Sequence, residues 1–226
     1  MDFAYFNQYI FSGLTNGSIY AIIAIGFIII YNTTGVINFA QGEFVMLGGM
    51  IAITLTNGLS IYVPDFLKST IFFFLNSNEM VIKLPMFFSI LLAVIITGII
   101  GTLIYMFFIR WIPNPTVLRM VVITIGISIL IKEAALLIWG EKVRALPYFI
   151  GNEVTSVKIF GAFISPQVFW VIGISMIIVL FLNIFFRYTL TGKAMNACSA
   201  NQVGAILCGI KTKKMITFSF FLSAAI

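Results

Sequence analysis

The feature that most constrains this chain is a series of long apolar runs separated by short polar stretches. A helix needs about 20 mostly apolar residues to cross roughly 30 Å of bilayer hydrocarbon. Such runs occupy residues 10–31, 36–56, 84–109, 117–139 and 168–186, and another begins at residue 215 and continues to residue 226. The pattern predicts an all-α, polytopic helical membrane protein with five complete transmembrane helices and the start of a sixth.

The composition excludes several other classes of protein. The 226 residues are 61% hydrophobic and 9% charged, whereas soluble domains are about 45–50% apolar and about 25% charged. There is no histidine, which removes His-dependent acid–base and nucleophile chemistry and the usual zinc sites. The two cysteines, Cys198 and Cys208, match no metal or redox spacing. The sequence therefore predicts neither a catalytic residue nor a metal site.

We expect residues 1–226 to form a single membrane-spanning domain whose longest cytoplasmic loop is residues 187–214. The last apolar run, residues 215–226, contains about half of the residues that a span needs. The chain is therefore expected to be a C-terminally truncated piece that ends inside a helix.

The distribution of charge predicts the orientation. With the N-terminus outside, the inner segments contain seven basic residues and no acidic one, whereas the outer segments contain five of each sign. Lys and Arg are retained on the cytoplasmic side, so an N-terminus outside is predicted. Lys132 and Glu133 lie near the outer boundary of their span, where their side chains can reach water. The inner basic residues are Arg110, Arg119, Arg187, Lys193, Lys211, Lys213 and Lys214.

Three polar side chains interrupt the second apolar run: Asn38, Gln41 and Glu43. A charge inside a span is costly and marks a candidate functional residue, and Glu43 has no obvious partner elsewhere in the chain. Two interpretations stay open, a tightly packed interior helix with amide hydrogen bonds or a broken helix that lines a polar pathway. At about 100° per residue, one helix face contains Asn38, Gln41, Gly42, Val45 and Gly49, while Glu43 points elsewhere.

The basic inner loop, residues 187–214, also admits two interpretations. Its middle part mixes small and apolar residues without a proline, which is compatible with one or two short helices at the membrane surface. The loop either fixes topology and contacts anionic lipid, or it docks a cytoplasmic partner. The residues alone do not choose between these.

Two blocks of sequence resemble the permeases of branched-chain amino acid ABC transporters, and the H-type permease subunit in particular. The first block is Gly13-Leu-Thr-Asn-Gly-Ser-Ile-Tyr-Ala21, then Tyr31, Gly35-Val-Ile-Asn-Phe-Ala-Gln-Gly-Glu43 and Gly48. The second block is similar to the coupling loop of that family at matching spacing. It comprises Arg187-Tyr188, Gly192-Lys193-Ala194, Ala197-Cys198, Ala205 and Gly209-Ile210.

The resemblance implies one half of an importer for branched-chain amino acids in the bacterial cytoplasmic (inner) membrane. The implied partners are a second related permease subunit, cytoplasmic ATP-binding subunits, an extracytoplasmic substrate-binding protein and membrane lipid, but no nucleic acid. The chain contains no phosphate-binding Gly-x-x-x-x-Gly-Lys-Ser/Thr motif, so ATP would be hydrolysed on the partner subunits and this chain would need no cofactor. It would not itself be an enzyme.

The resemblance also implies roles for particular residues. Asn38, Gln41 and Glu43 are the expected substrate-pathway residues. The family usually has an acidic pair where this chain has Ala200-Asn201, so its loop offers no carboxylate to the ATPase. The expected ATPase-coupling residues are Gly192, Lys193, Ala194, Ala197, Asn201, Gln202, Ala205 and Gly209.

Two alternative functions are weighed against this one. Relatives within the same family transport urea or short amides, which leaves the substrate open. A stand-alone secondary transporter would need more spans and a buried charge network of its own, for which one carboxylate is thin support. An integral membrane enzyme is disfavoured because there is no histidine and no acidic cluster.

Overall fold

A computed structural model of the chain describes residues 3–57, 84–112, 116–141, 143–146, 157–159 and 162–226. The helix Met86–Ile104 continues as a π-helical turn over Tyr105–Ile109. The helices are α1 Phe3–Thr34, α2 Gln41–Asn57, α3 Met86–Ile104, α4 Val117–Trp139, α5 Pro166–Tyr188, α6 Leu190–Ala200, α7 Gln202–Leu207 and α8 Thr212–Ala225.

Four helices of the described part are long and apolar enough to cross a membrane. They are Tyr5–Thr34, Met86–Ile109, Val117–Trp139 and Pro166–Tyr188. α2, with 17 residues, and α8, with 14, are shorter than these four. The prediction of an all-α membrane protein is confirmed at this level.

The second predicted span, residues 36–56, differs from the helix that occupies this region. α2 begins at Gln41, and residues 36–40 are not helical. The side chain of Asn38 explains the late start, because its Oδ1 accepts a hydrogen bond of 3.2 Å from the backbone N–H of Ala40. Such local bonds of Asn compete with helix formation. Asn38 therefore precedes α2 and does not lie on its face.

A short β-hairpin lies where the sequence predicted only a connection between spans. β1 (Val157–Ile159) pairs antiparallel with β2 (Ala162–Ile164), and Val157 lies opposite Ile164. Val, Ile and Phe favour the extended conformation, which accounts for the pairing. Most of the acidic residues counted on the outer side, such as Asp65 and Glu153, lie outside the described residues.

The chain divides into two compact units, the first comprising residues 1–35, 147–219 and 226. In this unit α1 packs along α5, and both helices contact α6. Near the beginning of both helices the rings of Phe11 and Phe169 meet edge to face at 5.9 Å. At the other end of α1, the Gln202 side chain that follows α6 donates a hydrogen bond to Thr33 O. α1 and α5 therefore run in the same direction.

The second unit comprises residues 36–146 and 220–225. Here α2 packs against α3 and α4. The N–H of Leu84, just before α3, donates to Leu55 O at 3.1 Å near the end of α2, so these two helices are antiparallel. The Nε1 of Trp139, at the end of α4, donates to Thr54 Oγ1 at 2.6 Å, again near the end of α2.

Close packing in the second unit depends on a glycine of α3. A Cβ on Gly101 would lie 2.5 Å from Ala224 Cβ and 2.9 Å from Phe220 O. One turn further along, the rings of Tyr105 and Phe220 stack with centroids 5.1 Å apart. The absence of a side chain at Gly101 therefore lets the final residues of α8 approach α3.

Candidate functional site

The predicted pathway residues belong to the second unit, and Gln41 is the most enclosed of them. Its Nε2 donates to Ser223 O at 3.0 Å, and its Oε1 accepts from Ser223 Oγ at 2.6 Å. Gln41 is 1% exposed and Ser223 is fully buried. The Gln41 amide therefore holds the start of α2 to the end of α8, as the packed-helix interpretation predicts.

Asn38 is also buried, with 2% of its surface exposed. Its Oδ1 caps the N–H of Ala40, but its Nδ2 has no hydrogen-bond partner among the described residues. A buried donor without a partner costs about 1–3 kcal/mol. In this conformation Asn38 shapes the turn before α2.

Glu43 is partly enclosed and hydrogen-bonded at the start of α2. It is half-buried in the first turn of α2, where the positive end of the helix dipole favours an anion. Its Oε1 accepts a hydrogen bond of 3.0 Å from Ser128 Oγ on α4. The sequence shows no obvious partner for Glu43, and the structure provides one in Ser128.

The face of α2 that contains Gly42 and Val45 is open among the described residues. Val45 is 43% exposed and Gly42 is also exposed, whereas Phe44 and Leu47 are buried. No atom lies within 4 Å of a Cβ built on Gly42. Gly42 and Val45 share a helix face with Gln41, and of these three residues only Gln41 is buried.

Sequence reasoning missed both serines that bind the polar side chains of α2. Ser223 falls in the last apolar run and gives no signal by position. Ser128 offers one, because it lies about 16 Å into its predicted span while Glu43 lies about 12 Å into its own, at 1.5 Å per residue. Comparing the depths of polar residues between spans would have made Ser128 a candidate, but it would have favoured Thr124, whose depth of about 10 Å is closer to that of Glu43.

The predicted coupling residues belong to the first unit, where the junction of α5 and α6 is tightly built. Thr189 Oγ1 donates to Phe185 O at 2.7 Å and accepts from the N–H of Gly192 at 3.0 Å. A Cβ on Gly192 would overlap Phe185 O and lie 2.7 Å from Phe186 Cα. Gly192 is therefore a packing residue that sets the angle between α5 and α6.

The eight predicted coupling residues divide by exposure. Gly192 and Ala205 are buried, and Ala194 and Ala197 are half-buried. The other four predicted coupling residues are exposed: Lys193, Asn201, Gln202 and Gly209.

The short helix α7 exposes an apolar surface that the sequence prediction missed. Val203, Ile206 and Leu207 are 68%, 58% and 84% exposed, while Ala205 between them is buried. Asn201 Oδ1 caps this helix by accepting from the N–H of Gly204 at 3.0 Å. The sequence gives no signal for this surface, because the burial of Ala205 is seen only in the structure.

The two cysteines of the loop differ in environment. Cys198, on α6, is 2% exposed, whereas Cys208, after α7, is exposed. Burial raises the pKa of the Cys198 thiol above its ordinary value. The predicted absence of a redox pairing between them stays a prediction.

Comparison with known proteins gives a consistent result. The family described as "Branched-chain amino acid transport system / permease component" matches residues 9–226. The high-affinity branched-chain amino acid transport system permease protein LivH of Salmonella typhimurium is 31% identical over 99% of this chain and 68% of its own length. LivH of Escherichia coli K12 is 30% identical over the same shares, and BraD of Pseudomonas aeruginosa is 28% identical over 97% of this chain and 67% of its own. No solved structure matches.

Proposed function

Since the chain belongs to the family of branched-chain amino acid transport permease components, we propose that it forms half of the pathway of an ATP-driven importer for branched-chain amino acids. The chain is a permease component and not an enzyme. The single observation that carries the substrate class is the likeness to LivH and BraD along nearly the whole chain. A bacterial cytoplasmic (inner) membrane is the proposed location.

The proposed membrane topology has five complete spans and the start of a sixth. α2 completes the second span together with the non-helical residues 36–40, and α8 begins the sixth. The helix directions support this alternation, because α1 runs parallel to α5 and α2 antiparallel to α3. The helix directions alone fit either orientation of the chain in the membrane. The N-terminus is proposed to lie outside because the basic loop, residues 187–214, is then cytoplasmic.

The proposed pathway passes Glu43, in the first turn of α2. A carboxylate that faced lipid would be costly, so Glu43 is proposed to face the second permease subunit or a wet path. Together with Ser128 it offers acceptors to the ammonium group that every amino acid carries. Gln41 and Asn38 are proposed to act on the pathway indirectly, since their bonds fix the position of the first turn of α2.

The proposed contact with the ATP-binding subunits lies on α6 and α7. Lys193, Asn201, Gln202 and Gly209 are exposed there and supply polar contacts and backbone. The apolar surface of α7 is proposed to become buried against the ATP-binding subunit, because exposed apolar patches mark interaction sites. ATP closure on the partner would then favour one facing of the pathway, and release would favour the other.

The proposed partners follow from this scheme. A second related permease subunit completes the pathway, cytoplasmic ATP-binding subunits bind and hydrolyse ATP, and an extracytoplasmic binding protein delivers the substrate. The chain itself is proposed to hold no cofactor, and nucleic acid is not among its partners.

Co-purification tests the proposal. The subunit is tagged, expressed with the products of neighbouring genes, and extracted gently in detergent. We expect a related permease and ATP-binding subunits to be retained, and Leu207→Asp to release the ATP-binding subunits while Leu207→Met keeps them. A solitary protein under these conditions would contradict the importer and favour a secondary transporter.

A further inference from the structure

One side of α1 carries polar side chains into the middle of its membrane-spanning segment. Ser12, Asn16 and Tyr20 follow one another at intervals of four residues, so they form a ridge along the helix, here called the polar ridge. All three are exposed among the described residues. Phe11, whose ring packs on α5, lies about 180° around the helix from Tyr20. The polar ridge therefore points away from the packed side of α1.

The depth of Tyr20 is unusual for a tyrosine in a membrane-spanning helix. It lies at the middle of the 30-residue candidate span Tyr5–Thr34. Tyr9 and Tyr31 are each eleven residues away from it, or about 16 Å at 1.5 Å per residue. That distance is close to half of the roughly 30 Å of hydrocarbon, so these two tyrosines lie at the membrane boundaries, where tyrosine is common. Tyr20 has no such explanation.

The polar groups of the ridge lack the internal hydrogen bonds that other polar groups of α1 make. The hydroxyls of Thr15 and Ser18 each donate to the helix carbonyl four residues earlier, at 2.8 and 2.7 Å. The side chains of Asn16 and Tyr20 bond to nothing among the described residues. Lipid hydrocarbon offers no partner to an amide or a phenol, so these groups would be unsatisfied there. We therefore infer that the polar ridge does not face lipid.

The polarity of this side of α1 ends near the middle of the span. Beyond Tyr20 the residues on the same side are Ile23, Ala24 and Phe27, which are apolar. The polar half is the one near the start of α1, which is the outer half because the N-terminus is proposed to lie outside. A path that a binding protein supplies from outside needs polar walls in that half.

Close packing of a second helix explains this side of α1 less well. Gly13 and Gly17 have the Gly-xxx-Gly spacing of helix pairs, and no described atom lies within 4 Å of a Cβ built on either. However, Tyr9 and Tyr20 lie before and after Gly13 on the same side and are 75% and 70% exposed. Their rings project beyond the glycine and hold a neighbouring helix away from it.

We propose that the polar ridge lines the outer half of the substrate pathway and hydrogen-bonds the amino acid as it passes. The proposal rests on the proposed function and adds residues of the first unit to that pathway. Hydroxyl and amide groups both donate and accept, so they bind the carboxylate as well as the ammonium group of a zwitterion. The ridge carries no charge, and weak binding of this kind lets a substrate enter and leave.

The accessibility of single cysteines tests whether the polar ridge faces water. Ser12→Cys and Asn16→Cys are compared with Leu14→Cys, which lies at the same depth and is also exposed, with both native cysteines changed to serine. A small membrane-impermeant thiosulfonate is added outside intact spheroplasts that contain the complete importer. We expect the two ridge cysteines to react at least about tenfold faster than Leu14→Cys, because an apolar setting suppresses the reactive thiolate.

Equal rates at all three positions would overturn the proposal. Slow reaction throughout is the result expected if the second permease subunit covers the ridge, and fast reaction throughout is the result expected if water reaches every side of α1.

Removal of single hydroxyl groups tests contact with the substrate. Tyr20→Phe deletes the phenol oxygen at the middle of the span, and Tyr9→Phe is the matched control, because it deletes the same group at the membrane boundary. We expect Tyr20→Phe to lower ATP-dependent leucine uptake into proteoliposomes about threefold or more, as for the loss of one hydrogen bond, and Tyr9→Phe to stay within about twofold of wild type. Normal uptake by an assembled Tyr20→Phe complex would contradict the contact.

The two measurements distinguish failure of this inference from failure of the proposed function. If the wild-type importer takes up no leucine, the proposed function fails. If it takes up leucine while the ridge cysteines react no faster than Leu14→Cys, only the inference about the polar ridge fails.

Discussion

Glu43 and Glu133 are both glutamates inside predicted spans, and their surroundings distinguish their roles. Glu43 is half-buried and bonded to Ser128, whereas Glu133 is exposed on α4. We expect Glu43→Gln to lower the rate of leucine uptake about tenfold or more, because a hydrogen bond to a charged group contributes about 1.5–3 kcal/mol. Uptake into proteoliposomes, normalised to the amount of assembled complex, measures the effect.

Glu133→Gln is the matched control, because it removes the same charge from a neighbouring span. It should leave uptake within about twofold of wild type, as expected of an exposed side chain near the membrane boundary. Normal uptake by a normally assembled Glu43→Gln complex would remove Glu43 from the pathway.

The cysteines of the loop yield a second prediction at this scale. The thiolate is the reactive form, and the raised pKa of Cys198 lowers its thiolate fraction at any given pH below that pKa. In detergent, Cys208→Ser, which leaves only Cys198, should react with maleimide at least about tenfold more slowly at pH 7 than Cys198→Ser. Its rate should still be rising above pH 9, and equal rates at pH 7 would contradict the burial of Cys198.

The sequence is sufficient to select the polar residues that are candidates for function, but it does not show what each of them contacts. Asn38, Gln41 and Glu43 stand out because polar groups are rare in apolar runs. Only the structure separates Gln41, whose amide bonds twice to Ser223, from Glu43, which accepts a hydrogen bond from Ser128. The difference depends on a residue 182 positions away in sequence, and no local pattern encodes that contact.

Among the elements, the junction of α5 and α6 carries the sharpest prediction. Gly192→Val would place atoms against Phe185 O and Phe186 Cα, and overpacking of this kind costs about 1–3 kcal/mol. We expect α6 to be displaced, so that ATP hydrolysis continues without uptake while membrane insertion is unaffected. Parallel assays of ATPase activity and uptake measure the uncoupling.

Gly173→Val on α5 is the control for that variant. A Cβ on Gly173 meets no atom within 4 Å, so the same side chain is accommodated there. Unimpaired uptake by Gly192→Val, or loss of its membrane insertion, would contradict the assignment of this junction to coupling.

Most helices could be located from apolar run length, because hydrocarbon thickness sets the length of a span. α4 occupies the residues predicted for the fourth span, Val117–Trp139. The sequence predicts a second span from residue 36, but α2 begins only at Gln41. The hydrogen bond from Ala40 N–H to the Asn38 side chain competes with helix formation there, although the run is apolar. The hairpin β1–β2 was missed because three-residue strands carry no periodic pattern.

For the whole molecule, the open question is the orientation in the membrane. The sequence predicts that the N-terminus lies outside, whereas the helix directions fit either orientation. With the N-terminus outside, Cys208 lies in the cytoplasm and Glu141 lies on the outer face. In the Cys208→Ser background, a cysteine replacing Glu141 should react with a membrane-impermeant maleimide in intact spheroplasts. Native Cys208 should react only after permeabilisation, and the reverse pattern would contradict the orientation.

The most direct measurement of the central claim is uptake by the complete importer in proteoliposomes, with the substrate-binding protein outside and ATP inside. The account predicts ATP-dependent accumulation of labelled leucine that valine and isoleucine compete away and urea and acetamide do not. It also predicts no uptake when this subunit is omitted. ATP-independent uptake, or competition by urea or acetamide instead of the aliphatic amino acids, would contradict it.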